Sequence, residues 1–196
     1  MLGLCLAFCC GLRAQTREFL TDNEIDQVRE AQEGNDRMKL YVQFARARLD
    51  GIEKELAATG KAAKPLEERG ARIHDLLYEY GKILDAIDDL SDTWKTQRIM
   101  VRKGVSFAVH AEPELLKRLQ AIDEKYPPDR EAYRFVLNEA IEGTESSLEE
   151  TKKILGKLPT DKKIDKEIEA AQKQDDQDRK KTPPKPPNPP NPPNSE

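Results

Sequence analysis

The strongest constraint on the fold is an apolar seam in the middle of the chain: Leu66, Ile73, Leu76, Tyr80, Ile83, Ile87, Leu90 and Trp94. After a first step of seven, in which Arg69 takes the intermediate position, the spacings alternate three and four. A strand would repeat every two residues, whereas this alternation keeps side chains on one stripe of an α-helix. Leu77 and Leu84 widen the stripe, so this helix must bury a broad face against others. Pro65 suits its first turn, where a missing N–H removes no intrahelical bond.

The same pattern recurs on both sides. Thr21-Asp22-Asn23-Glu24 is a capping box and predicts a short helix interrupted by Glu33-Gly34-Asn35-Asp36, where Asn35 or Asp36 can cap a new start. A second helix follows on Met38, Val42, Ala45, Leu49, Ile52 and Leu56, ended by Thr59-Gly60. Beyond the central seam come Val101, Val105, Ala108, Leu115, Leu119, Ile122 and Tyr126, regular if Glu112 is granted one slot, with Pro113 expected to kink the helix or start a new segment. Tyr126-Pro127-Pro128-Asp129 is a break, and a last stripe runs through Tyr133, Leu137, Ala140, Thr144, Leu148, Thr151 and Leu155.

These stripes predict an all-α fold over residues 20–158, an antiparallel bundle of about four long amphipathic helices with a short N-terminal helix. The join at Ser91-Asp92-Thr93 has no glycine or proline, so residues 65–126 read either as one rod or as two helices. Four helices of comparable length, roughly 35 to 50 Å each, suit a bundle better than a rod of about 90 Å. Charged residues make up 36% of the chain and the apolar set 37%, a balance that fits long helices with solvated outer faces. The net charge is −4, so no overall positive field exists to hold nucleic acid, and none is expected as a partner.

The two ends differ in kind from this middle. Leu2 to Leu12 carries no charge and falls short of the roughly 20 residues that span a bilayer. Residues 1–14 therefore read as a signal peptide cut after Ala14, although no Lys or Arg precedes the apolar run and Arg13 follows it. The expected location is exported, periplasmic or extracellular, with membrane contact only through an uncleaved leader. Cys5, Cys9 and Cys10 all lie in this leader, none preceded by the small residue a lipoprotein signal needs, and no spaced ligand set surrounds them. At the other end, residues 159–181 have Ile164, Ile168, Ala170 and Ala171 as their main apolar content and predict a charged, partly helical linker that frays. Residues 182–196 hold eight of the 13 prolines and predict a disordered polyproline II tail. Pro183, Pro184, Pro186, Pro187, Pro189 and Pro190 are its candidate contacts for a groove-forming partner.

Chemistry-bearing motifs are sparse. Neither His74 nor His110 has a Glu three residues before it, as di-iron bundles require, and no haem-attachment, phosphate-cradling or nucleophile-elbow motif occurs. The expectation is a protein that is not an enzyme and holds no cofactor. Asp85, Asp88, Asp89 and Asp92 share spacings that bring carboxylates to one helix surface, a weak candidate for Ca²⁺ or a cationic partner. Self-neutralisation by the following Lys95, Arg98, Arg102 and Lys103 is the simpler expectation. Tyr78, Tyr80 and Trp94 are candidates to line a ligand pocket, although Tyr80 and Trp94 read more simply as core.

Two function classes follow. One is an exported, non-catalytic protein-interaction module, scaffold or chaperone-like, with an unidentified protein partner. The other is a periplasmic binding protein for a small apolar or cationic ligand, or a Ca ion, between or on the helices. Seams this regular can also pair between chains as a homo-oligomer. The layout of leader, charged helical domain and proline-rich end resembles that of exported bacterial proteins, and no motif in it is specific enough to carry a role across.

Overall fold

A computed structural model describes residues 19–93, 102–125, 127–158, 160 and 162–181. The expected leader, Trp94, Val101, Tyr126 and the proline-rich segment lie outside the described residues. Among the described residues there are six α-helices and no strand: α1 (Asp22–Glu30), α2 (Gly34–Ala57), α3 (Leu66–Thr93), α4 (Arg102–Asp123), α5 (Arg134–Lys157) and α6 (Lys162–Lys181). The expected all-α bundle is what forms.

Local chemistry sets the helix ends. The capping box at α1 is complete, with the Glu24 N–H donating to Thr21 Oγ1 at 3.3 Å and the Thr21 N–H donating to Glu24 Oε2 at 2.8 Å. The Pro65 carbonyl accepts the first bond of α3 from the Arg69 N–H at 2.9 Å. Gly60 follows α2 at φ +61°, a left-handed conformation that a side chain would strain. Gly70 answers a different need. A Cβ there would stand 2.9 Å from the Ala132 Cβ, so the absence of a side chain lets α3 lie against the short 3₁₀ turn Arg130–Ala132.

Long-range bonds fix the directions of the helices. Asn35 with Gly104, Arg46 with Glu114 and Arg118 with both Asp50 and Glu53 show that α2 and α4 run parallel. Tyr80 with Thr144 and Asp88 with Ser147 show the same for α3 and α5. The four helices form a square in the order α2, α3, α5, α4, so α3 and α4 occupy opposite corners. Helices α3 and α4 run in opposite directions, which resolves the rod-or-two-helices choice in favour of two.

The core is the predicted set with a few exchanges. Val42, Leu49, Ile73, Ile83, Leu115 and Leu137 are wholly buried, each contributing about 1.5–3 kcal/mol by removal from water. Leu66, placed on the seam by spacing, is half exposed; the first turn of α3 makes its contact through Arg69, whose guanidinium binds both oxygens of Asp129 at 2.7 Å. Pro113 does not start a new segment, since α4 continues from Arg102 through Asp123 around it. On α5 the buried stripe passes through Ser147 and Ile154 rather than Leu148 and Leu155. That exchange continues the three-and-four alternation from Ala140 and Thr144 and puts a hydroxyl where a carboxyl needs one.

The largest departure is α6. The expected fraying linker is a 20-residue helix lying along α4, with a further tie to α2. Arg102 and Lys103 are consequently not neutralised by the aspartates before them but pair with Asp165 and Glu167 of α6. Asn35 does not cap its own helix either. Its Oδ1 accepts the Gly104 N–H at 2.8 Å, capping the first turn of α4 from α2.

Candidate functional site

The most distinctive surface is the seat of α6. One stripe of α6 faces inward through Ile164, Ile168, Ala171, Gln172 and Asp175, of which Ile168 is buried and the others half-buried. The remaining attachment is polar. Arg102 Nε donates to Asp165 Oδ1 at 2.7 Å, Lys103 pairs with Glu167, and Gln172 donates to the Ser106 carbonyl at 3.3 Å. Further along, His110 Nε2 lies 3.6 Å from Asp176 Oδ1 and Arg46 Nη1 donates to Asp175 Oδ2 at 2.8 Å. Arg46 is held independently of α6, because its Nε donates to Glu114 at 3.2 Å and its guanidinium sits 5.9 Å above the Phe107 ring. The hydrogen bond that Lys103 donates to Glu167 holds its ammonium above the ordinary range.

At the end of this seat where α2, α4 and α6 all begin, a cleft of about 450 Å³ opens. Its walls mix acids and bases: Glu33, Asp36 and Glu167 against Lys39, Arg102, Lys103 and Lys163. Several of these are already matched, Lys39 with Asp36 at 3.7 Å among them, so the cleft carries no single strong sign of charge.

A second polar assembly lies inside the bundle. Glu112 of α4 is 0% exposed, with Oε1 accepting from Ser147 Oγ at 2.9 Å and Oε2 from Thr151 Oγ1 at 2.7 Å. Ser147 Oγ also lies 2.6 Å from Asp88 Oδ1, and Thr151 Oγ1 lies 2.8 Å from the Ser147 carbonyl. Two hydroxyl hydrogens cannot serve these four oxygen contacts. A proton on Glu112 supplies a third donor, and burial pushes the Glu112 carboxyl above its usual range, with the negative charge of Asp88 adding to the effect. Burial likewise raises Asp88, reinforced by Asp85, Asp92 and Asp89. Tyr80, also wholly buried, shares a 2.8 Å bond with Thr144.

A third assembly uses guanidinium instead. Arg48 is 1% exposed, donates to both Glu24 oxygens at 2.6 and 2.7 Å and to the Phe19 carbonyl at 2.9 Å, and has Nε 2.7 Å from Glu79 Oε2. Burial opposes the charge on Glu24, yet the bonds from Arg48 and the Thr21 N–H prevail and hold its carboxyl below the usual range. This cluster fastens α1 to α2 and α3.

The sequence-predicted residues are scattered across these regions. Tyr78 is exposed with the Lys82 ammonium 5.9 Å from its ring, while Tyr80 is in the core, so the two do not line one pocket. Asp85 pairs with Lys82 at 2.9 Å and Asp88 turns inward to Ser147. Among the described residues, no group of three or more His, Cys, Asp or Glu side chains is placed to hold a metal ion. His74 lies beside Asp75 at 3.6 Å, away from the α6 seat. The candidate surface that spacing did not reveal is the one on α4 and α2, since its partners are 60 and more residues apart in the chain. The signal available was the run Ile164, Ile168, Ala171 at helical spacing. No known protein family, curated protein or solved structure matches the chain.

Proposed function

We propose that the chain is an exported, non-catalytic helical module that works by binding another protein, as a scaffold or chaperone-like factor. The observation that carries this reading is the α6 seat, a surface on α2 and α4 that already holds a charged helix by side-chain pairing rather than by deep burial. Grooves that accept a helix in this way are a recurrent mode of peptide recognition. The proline-rich segment that follows α6 directly in sequence supports the same reading, because a polyproline stretch loses little entropy when a partner binds it. Export rests on the uncharged leader from Leu2 to Leu12 and on the confinement of all three cysteines to it.

The test is fractionation with in-cell crosslinking of the full chain and of a chain ending at Lys181. A species whose intact mass begins at Gln15, found outside the cytoplasm in a complex of fixed stoichiometry with another protein, supports the reading. A cytoplasmic chain that retains Cys5, Cys9 and Cys10 and crosslinks to nothing overturns it.

A further inference from the structure

We propose that the groove on α2 and α4 beneath α6 is a docking site for an acidic amphipathic helix of a partner protein, with α6 as the competitor that fills it from within the same chain. This rests on the reading of the protein as an interaction module and names the chemistry of the partner.

The groove states its own specificity. Its cations are Arg46 on α2 and Arg102 and Lys103 on α4, with the His110 ring of α4 beyond them, and these four face carboxylates of α6: Asp175, Asp165, Glu167 and Asp176 in turn. Taking Ile164 as position i, the occupant carries apolar residues at i, i+4 and i+7 and carboxylates at i+1, i+3, i+11 and i+12. A helix of that pattern meets every cation and seats its apolar stripe against α4. Positive charge on the occupant would be rejected by Arg46, Arg102 and Lys103.

Most of the contacts that retain α6 are open ones. Asp165, Glu167 and Asp176 have side chains 38%, 45% and 47% exposed, and ion pairs this open are worth little and are screened by salt; the pair of Asp175 with Arg46 is the shielded exception. Ile168 is the one described apolar side chain of α6 that is buried, and it keeps 9% exposure. The groove itself outlasts departure of α6, because Arg46 keeps Glu114 and the Phe107 ring as partners and Asn35 still caps α4. A preformed site covered by a loosely held segment lowers the ordering cost for a competing helix. The short connection from Lys157 to Lys162 keeps α6 at high effective concentration, so only a partner of matching pattern displaces it.

The experiment uses the full chain carrying Asp165→Lys and Asp175→Lys, which repels its own α6 from the groove. A fluorescein-labelled peptide of residues 162–181 serves as the acidic helix and is followed by anisotropy. Expected is saturable low-micromolar binding in 50 mM NaCl, weakened about tenfold or more in 500 mM, with the wild-type chain binding at least about tenfold less tightly because its groove is filled. Adding Arg46→Glu and Arg102→Glu removes binding. A charge-reversed chain with unchanged helical circular dichroism and urea midpoint that fails to bind the peptide overturns the proposal. Light scattering across concentration supplies the other arm: a wild-type dimer abolished by the α6 reversal identifies the occupant as α6 of a second copy, which also overturns the partner assignment. The two readings fail separately. Loss of peptide binding with an intact in-cell complex refutes the groove alone, and peptide binding without any in-cell complex refutes the interaction module.

Discussion

Helices α5 and α6 both lie along α4, and they are attached to it by different physics. α5 buries Leu137, Ala140, Thr144, Ser147, Thr151 and Ile154, an interface made of area removed from water, which salt does not screen. α6 buries Ile168 alone among its described side chains, and that to 9% exposure, and relies otherwise on Arg102, Lys103, His110 and Arg46 facing carboxylates. The contrast teaches that one helix can carry a permanent neighbour on its apolar face and a releasable one on its charged flank. Sequence composition alone had marked only the permanent one.

The largest effect belongs to the apolar side. Leu115→Ala, in the part of α4 shared with the core, is expected to cost about 2–5 kcal/mol, read as a lower urea midpoint at which all helices melt together. Next comes the buried carboxyl. Because the folded-state pKa of Glu112 is raised above its ordinary 4.5, its proton stabilises the fold fully below that value, and the contribution is lost as pH rises through the folded pKa. Glu112→Gln keeps a donor in the layer, so at pH 8 it is expected to exceed the wild type in stability by about 1 kcal/mol or more, and the wild-type decline toward alkaline pH should flatten. Glu24 gives the opposite sign: its pKa is lowered from 4.5, so its contribution is present above that value and lost as pH falls through the folded pKa. A urea titration series from pH 3 to pH 8 on Glu112→Gln and Glu24→Gln separates the two.

Smaller effects sharpen the contrast further. Tyr80→Phe breaks the bond to Thr144, yet Thr144 Oγ1 retains the Ala140 carbonyl at 2.6 Å, so a loss of about 1 kcal/mol in urea stability is expected. Ile168→Ala should move the global midpoint least, by about 0.5 kcal/mol or less, because the bundle does not depend on α6. The same variant is expected to raise amide exchange throughout Lys162–Lys181 while leaving α5 untouched. An equal response in both helices would erase the distinction.

Much of the bundle was legible because its message is local. Ile73, Leu76, Tyr80, Ile83 and Ile87 occupy the core where the three-and-four spacing put them, and even the slot granted to Glu112 is fully buried. The inward turn of Ser147 was hidden by hydropathy, which favours its neighbour Leu148, although the period itself points to Ser147. Leu66 was misassigned by a pattern that continues one step past the packed part of α3. The α6 seat was the least legible region, because pairs such as Arg102 with Asp165 join positions 63 residues apart. A charge-rich segment with few apolar residues predicts fraying when read alone, and its order here comes from a surface elsewhere in the chain.

The account turns on α6 being held by charge while α5 is held by burial. Hydrogen exchange with mass-spectrometric readout on the full chain, in 50 mM and in 500 mM NaCl at constant pH, tests this directly. Predicted is about a tenfold or greater loss of protection across Lys162–Lys181 at high salt, with α5 from Arg134 to Lys157 unchanged. Protection of α6 that persists at high salt, or that falls in step with α5, would contradict it.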